Sequence, residues 1–320
     1  MTFLYEILGV PFGAVLRLIY NSIGFENYAI SIILLTLFSR ILMIPSTISQ
    51  QKGMAKTQRI QPKLRRIQTK YAGNQQKIQE ETNALYQREG YNPMNAGCTP
   101  MLFQFVLLFG LIGAIYYPLS HFLTGVSEAE IDLLAGALAN VDTSAFANST
   151  HLRELLIIQN INNPALQNIA GVSSETYAAI QSVNFDFFGL FSLGDVPKGH
   201  KWNDVIWAIP VLSFISSMAT SLYSQIKQKK NNPAMANNPM MGCMTFVMPL
   251  FSLYFVISYP AGIGIYWIAS SIFGFLSTVI IGHFYNPKKT IAKLMVDETV
   301  ERRSKENSLK LVAERKENKN

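Results

Sequence analysis

The residue with the most pointed chemistry in this chain is Arg40, set within Tyr28–Ile48, a stretch that holds no other Lys, Arg, Asp or Glu. At about 1.5 Å of rise per helical residue it lies roughly 18 Å from Tyr28 and 12 Å from Ile48, deep in a hydrocarbon core about 30 Å thick. Exposing it to lipid would cost about 3 kcal/mol on insertion scales. It must therefore face protein, water or both. Five apolar stretches run through the chain and none contains an acid, so they offer no ion pair. They do offer hydroxyls and an amide: Thr36 and Thr47 near Arg40, Gln104 in the second stretch, Ser213, Ser217, Thr220, Ser221 and Ser224 in the third, and Ser270 and Ser277 flanking Gly274 in the fifth. Small residues at this spacing also serve close helix packing. Beside an uncompensated arginine, a hydrated internal groove accounts for both features. Its chemistry would be electrostatic, a fixed positive charge drawing acidic groups into an apolar surrounding.

Covalent chemistry has little to work with. Catalysis at a membrane calls for clustered His, Asp, Glu or Cys, whereas His121, His151, His200 and His283 are scattered and Cys98 and Cys243 stand alone. No metal-ligand spacing and no GxxxxGK[ST] phosphate loop occurs. The expectation is a protein that is not an enzyme and holds neither metal nor cofactor. Two cysteines exclude a disulfide scaffold, and the apolar content excludes intrinsic disorder.

The elements that must position Arg40 follow from composition. Only 15% of the 320 residues are charged, while 49% are hydrophobic, and the apolar residues come in uninterrupted blocks. Stretches of about 20 residues are long enough to span. These are 28–48, 100–123, 205–226, 240–259 and 262–284, the fourth carrying Pro249, a break that neighbouring helices compensate. Residues 1–27 contain Glu6, Arg17, Pro11, Gly9 and Gly13, which fits an amphipathic segment at the membrane surface better than a sixth span. Basic residues set the orientation. Residues 49–99, 227–239 and 285–320 hold 22 of the 27 Lys and Arg, against four in 1–27 plus 124–204, which carry eleven acids. The N-terminus is thus expected outside, the C-terminus in the cytosol, and 124–204 outside. The fold class expected is an all-α integral membrane protein.

Three parts lie outside the spans. Residues 49–99 read as an antiparallel helical hairpin, with Ile60, Leu64, Ile67 and Tyr71 on one stripe, Ile78, Thr82 and Leu85 on another, and Ala72-Gly73-Asn74 as the turn. Its other face is basic, through Lys52, Lys56, Arg59, Lys63, Arg65, Arg66 and Lys70. Such a face suits solvent, lipid headgroups or a substrate. The loop 124–204 has a helical pattern around His151–Ile161 and an aromatic run at Phe185–Phe191. Residues 285–320, a helical or disordered tail with ten basic residues, suit ribosomal RNA or anionic lipid. Met235, Met240, Met241, Met244 and Met248 gather near the fourth span, as core filler or as a surface for varied apolar partners.

The chain resembles the YidC/Oxa/Alb family of membrane protein insertases. The resemblance runs through Leu34-Leu35-Thr36-Leu37-Phe38-Ser39-Arg40 to Pro45, then Gln61-Pro62-Lys63, Lys70-Tyr71, Leu85-Tyr86 and Asn92-Pro93. It continues in Gly97-Cys98-Thr99-Pro100-Met101-Leu102-Phe103-Gln104, Met248-Pro249, Pro260-Ala261-Gly262 and Tyr266-Trp267. It implies five transmembrane helices around a hydrophilic groove open to cytosol and lipid, with a mobile cytosolic hairpin at 50–97. Arg40 takes the position of the family's groove arginine, Gln104 that of a polar groove residue and Trp267 that of an aromatic facing the groove. With Thr36, Ser213 and Ser217 these make up the candidate substrate groove. The loop 124–204 is longer than the family core requires, and the lipoprotein-type N-terminus of many Gram-positive members is missing.

The function expected is insertion and folding of nascent membrane proteins at the bacterial plasma membrane, without ATP. Expected partners are nascent chains, the ribosome and anionic lipids, and not DNA. Work beside the Sec translocon stays open. The competing reading is a small-anion transporter using Arg40 as its substrate site. Such a protein would favour inverted repeats, and no internal repeat is evident.

Overall fold

Short polar side chains start the helices of this chain, and prolines interrupt them. The computed structural model describes residues 2–90, 93–141, 152–231, 239–284 and 287–317. The regular elements among them are helices: α1 (Thr2–Ser22), α2 (Tyr28–Leu42), α3 (Ile44–Lys70), α4 (Gln75–Arg88), α5 (Pro93–Tyr116), α6 (Pro118–His121), α7 (Glu128–Val141), α8 (Arg153–Asn160), α9 (Ser174–Ser182), α10 (Ala208–Asn231), α11 (Pro239–Ser258), α12 (Ala261–Phe284) and α13 (Pro287–Glu317). The side chains of Asn27, Asn74 and Ser173 accept the amides of Ile30, Lys77 and Thr176, satisfying first-turn donors of α2, α4 and α9.

Residues 28–48 are carried by two helices. Pro45 has no amide to continue the ladder, and the break falls just before it, at Met43. Pro118 likewise separates α5 from the single turn of α6. Pro249, by contrast, lies inside the continuous α11. Among the described residues, two helices are long and apolar enough to cross a membrane, Val205–Lys227 and Ala261–Phe284, and Tyr28–Leu42 with Ile44–Gln51 makes a third if the pair is one broken span. Ile7–Ser22, Phe105–Tyr116 and Thr245–Ser258 are shorter apolar helices.

The chain divides into two compact units. The first comprises residues 1–43, 101–226 and 238–277. Its core includes Leu16, Tyr28, Ile32, Ile115, Leu119 and Phe122, all fully or almost fully buried. The Tyr28 ring stacks on Phe185 at 4.3 Å, and its hydroxyl donates to the Ala114 carbonyl at 2.8 Å. Helix α1 packs on α2 and α6. Gly9 and Gly13 bring it against His121, where a Cβ on Gly13 would stand 2.3 Å from the His121 carbonyl oxygen. The glycines that look like interruptions in the sequence are thus points of close approach.

Residues 124–204 belong to this unit and contribute to its core through Ile131, Leu134, Leu138, Leu155, Ile158, Leu166 and Ile180. The pattern around His151–Ile161 becomes α8, with His151 itself outside the described residues. This segment binds the first amides of three helices. Tyr28 N donates to Asn184 O at 3.1 Å, Ala261 N to Asp195 O at 2.8 Å and Gly262 N to Leu193 O at 2.9 Å. For α6 the acceptor is a side chain: the Glu154 carboxylate takes the amides of Leu119 at 2.7 Å and Ser120 at 3.0 Å. Helix starts otherwise leave such donors unsatisfied.

The second unit comprises residues 44–100, 227–237 and 278–320. Helices α3 and α4 pack together across a turn at 71–74, where Gly73 has φ +90°. Just past α4, the Glu89 carboxylate accepts hydrogen bonds from Lys63 and from Arg59 of α3. The tail forms the 31-residue α13, which packs on α3.

Candidate functional site

Within the first unit, Arg40 is the point around which polar groups of two helices meet. Its helix, α2, buries Ser31, Ile32, Leu35, Thr36 and Ser39 on one side, while Leu37, Phe38, Ile41 and Leu42 are exposed. Arg40 lies at the edge of the buried face, and its guanidinium donates to the hydroxyl of Ser270 on α12. One turn further along α12, Gly274 lies beside the guanidinium, where a Cβ would stand 3.8 Å from its Cζ and Nη1, an ordinary van der Waals contact. Among the described residues no carboxylate pairs with Arg40, so its charge is met by a neutral acceptor.

Thr36 is buried, and its hydroxyl donates back to Ile32 O at 2.7 Å. That bond satisfies the group inside its own helix. Ser213 and Ser217 belong to a second polar cluster, between α10, α11 and α12. Ser213 and Ser252 share a bond of 2.8 Å, Ser217 reaches Ser252 at 3.3 Å and Ser271 at 3.2 Å, and Thr220 donates to Ser271 O at 3.2 Å. This is a helix-to-helix hydroxyl chain, the close-packing use of small polar residues. Ser270 and Ser271 are neighbours on α12, so the helix presents one hydroxyl to Arg40 and the next to the serines of α10. Trp267 is half-buried, its ring 5.2 Å from Phe255, which stacks on Tyr259 at 3.8 Å. The side chain of Gln104 lies outside the described residues.

Two positions missing from the sequence-derived site are Ser270 and Ser252. Ser270 was visible as part of the small-residue stripe on the fifth span. Ser252 gave a weaker signal, the other Ser and Thr of its apolar stretch being Thr245, two helical turns before it, and Ser258.

Outside the apolar helices, Glu154 and Glu130 are shifted in opposite directions. Burial pushes the Glu154 carboxyl above the ordinary carboxylate range, opposed by the Ser120 hydroxyl and the amides of Ser120 and Leu119. Glu130 goes the other way. The amides of Ser127 and Ser173 and the hydroxyls of Ser127 and Thr176 hold it below that range. Among the described residues no group of three His, Cys, Asp or Glu is placed to hold a metal ion.

The model of the family described as 60Kd inner membrane protein matches residues 18–289. The chain belongs to this family. Members similar to it include the membrane protein insertase MisCA of Bacillus subtilis, 25% identical over 260 residues, covering 80% of this chain and 70% of the relative. The membrane protein insertase YidC 2 of Listeria innocua is 24% identical over 294 residues, covering 91% and 76%. The membrane protein insertase YidC of Caldanaerobacter subterraneus is 26% identical over 279 residues, covering 87% and 94%. The YidC/Oxa/Alb resemblance carried by the motifs around Arg40 and Gln104 is therefore real kinship. In this family member the matched region takes in Arg40, Ser213, Ser217, Ser252, Trp267 and Ser270 alike.

Proposed function

We propose that this protein inserts nascent membrane proteins into the bacterial plasma membrane and helps them fold. In this reading five helices span the bilayer, with the N-terminus outside and the C-terminus in the cytosol. They enclose a groove into which Arg40 presents its charge. The α3–α4 pair receives the incoming chain from the cytosolic side. A short hydrophilic tail of the client enters the groove, with its acidic groups drawn toward Arg40. The apolar segment then moves sideways into lipid, where burial at about 25 cal/mol per Å² drives the process. Nascent membrane proteins are the substrates. The ribosome and anionic lipids are partners for the basic tail.

The observation that carries this reading is the pairing of Arg40 with a hydroxyl instead of a carboxylate, in an apolar helix of a chain whose relatives are named insertases. A neutral acceptor leaves the full charge available to a visiting anion, where a carboxylate would cancel it. The test is depletion of the protein followed by two parallel measurements, insertion of a single-span test protein and uptake of small anions. Loss of insertion with normal uptake is the expected result; the reverse would make the protein a transporter.

A further inference from the structure

Two exposed phenylalanines in the first unit sit in backbone conformations that bulky side chains rarely adopt. Phe25 has φ 51° and is followed by Glu26 at 51°, while Phe188 has φ 52° and is followed by Gly189 at 77°. For a large residue such a φ is a true outlier, held only where the surroundings impose it. Both side chains project from the fold. Phe25 is 83% exposed, Phe188 65% and Leu190 53%.

The second turn is firmly built at its base. Asp186 and Ser192 bridge the two arms, Phe187 N donates to Phe191 O at 2.9 Å, and the Phe187 and Phe191 rings stack at 5.0 Å. Phe187 and Phe191 pack against the core, so it is the tip, Phe188-Gly189-Leu190, that stands out. The base is also tied to the start of α2. Asn27 Nδ2 donates to Asp186 O at 3.4 Å, and Tyr28 N to Asn184 O at 3.1 Å. The turn bearing Phe25 and the turn bearing Phe188 are thus held beside one another where α2 begins.

We propose that Phe25, Phe188 and Leu190 form an apolar wedge that enters the boundary between headgroups and acyl chains of the leaflet at the start of α2. The inference rests on the reading that α2 crosses the membrane. Continuity argues for lipid as the occupant, because α2 begins three residues after Phe25 and its outer stripe, half-buried at Ile30, Ile33 and Leu34, becomes exposed at Leu37, Phe38 and Ile41. A second span start shows the same pattern, with Trp202 77% and Val205 51% exposed ahead of α10. Aromatic side chains concentrate at this depth of a bilayer. Charge argues against anionic headgroups as the attraction. Residues 183–197 contain two aspartates and no Lys or Arg, and Glu26 adjoins Phe25. Entry is therefore driven by apolar burial and is insensitive to salt.

The experiment uses full-length protein in phosphatidylcholine vesicles. Trp202, Trp207 and Trp267 are replaced by Phe, and a single Trp is placed by Phe188→Trp in one sample and Phe38→Trp in another. Lipids brominated near the headgroup should quench the fluorescence at 188 more than lipids brominated near the chain end, and aqueous iodide should quench it little. Quenching at 38 by chain-end bromines together with iodide access at 188 overturns the wedge alone. Iodide access at both positions overturns the span reading and the wedge with it. An otherwise unaltered chain with photoreactive benzoylphenylalanine at 188 supplies the check against misfolding. Crosslinking to phospholipid is expected there, and crosslinking to a protein would overturn the wedge.

Discussion

The guanidinium of Arg40 and the hydroxyl of Ser270 meet between α2 and α12, beside Gly274. A charge held by a hydroxyl is anchored without being neutralised. Arg40→Lys keeps that charge while losing the planar fork, and should retain most insertion activity. Arg40→Ala should reduce insertion of clients with acidic translocated tails by about tenfold, equivalent to roughly 1.4 kcal/mol, and leave neutral-tailed clients nearly unchanged. Assays are normalised to the amount of membrane-extracted protein. Equal loss for both kinds of tail would assign Arg40 a structural role instead.

Ser270 and Ser252 separate anchoring from packing. Ser270→Ala removes the Arg40 acceptor, so its effect should follow client charge, as that of Arg40→Ala does, but more weakly. Ser252→Ala breaks the bonds to Ser213 and Ser217. Hydroxyl bonds between membrane helices average about 0.6 kcal/mol, so a small fall in thermal stability is expected, with client preference unchanged. A charge-dependent insertion defect in Ser252→Ala would join the two clusters into one functional site.

Glu154 and Glu130 make opposite pH predictions. Glu154 has a raised carboxyl in the folded protein, so the folded state holds its proton longer than the unfolded chain does. Its contribution to stability therefore falls as pH rises from the unfolded value near 4.5 through the raised folded one. Glu130 is held low, and its contribution is present above that unfolded value and lost as pH falls toward the folded one. In detergent, wild-type stability should decline as pH rises above the unfolded value near 4.5, and Glu154→Gln should lose that decline. Glu130→Gln should keep that decline. Identical pH profiles for wild type and Glu154→Gln would remove Glu154 as its source. Glu154→Ala, which strands the buried amide of Leu119 and leaves the more exposed amide of Ser120 to solvent, should cost about 1–3 kcal/mol.

Topology is tested by labelling single cysteines in a background lacking Cys98 and Cys243. Lys70, Lys229 and Arg303 should react only from the cytosolic side. Glu154 is too buried to report, so exposed Glu175 serves for the same segment and should react only from outside. Labelling of Lys70 and Glu175 from one side would end the five-span arrangement.

The tail offers a fourth measurement. Helix α13 packs on α3 and carries Lys288, Lys289, Lys293, Arg302, Arg303 and Lys305. Truncation after Pro287 should reduce co-sedimentation with ribosomes at low salt, with the difference fading as salt rises. Unchanged co-sedimentation would leave the tail as a solvated helix.

How much of this was legible depended on whether a residue announced itself locally. Arg40 did, because a charge among apolar residues needs a partner wherever the chain folds. Helices α3 and α4 did, through 4-3 spacing of Ile60, Leu64 and Ile67 and a Gly at the turn. The break at Met43 was written in Pro45, yet the hydropathy of 28–48 runs straight across it. Glu154 was illegible. An acid in a polar loop looks solvated, and only the tertiary fold sets it over the amides of Leu119 and Ser120. The arrangement of the described residues of 124–204 was hidden for the same reason, since several of its anchors are backbone carbonyls, which every residue possesses.

Those anchors set a timetable for the protein's own birth. The amide of Tyr28 waits for the carbonyl of Asn184, and the carbonyls of Leu193 and Asp195 wait for Gly262 and Ala261. At roughly 5–20 residues per second, α2 leaves the ribosome about 10–30 s before its clasp exists. The clasp closes only after residues 124–204 have been delivered and the last apolar helix has begun. In the proposed topology that delivery is itself a translocation. On the proposed function, a machine that places other chains in the membrane is held together by a segment that must first be carried across one.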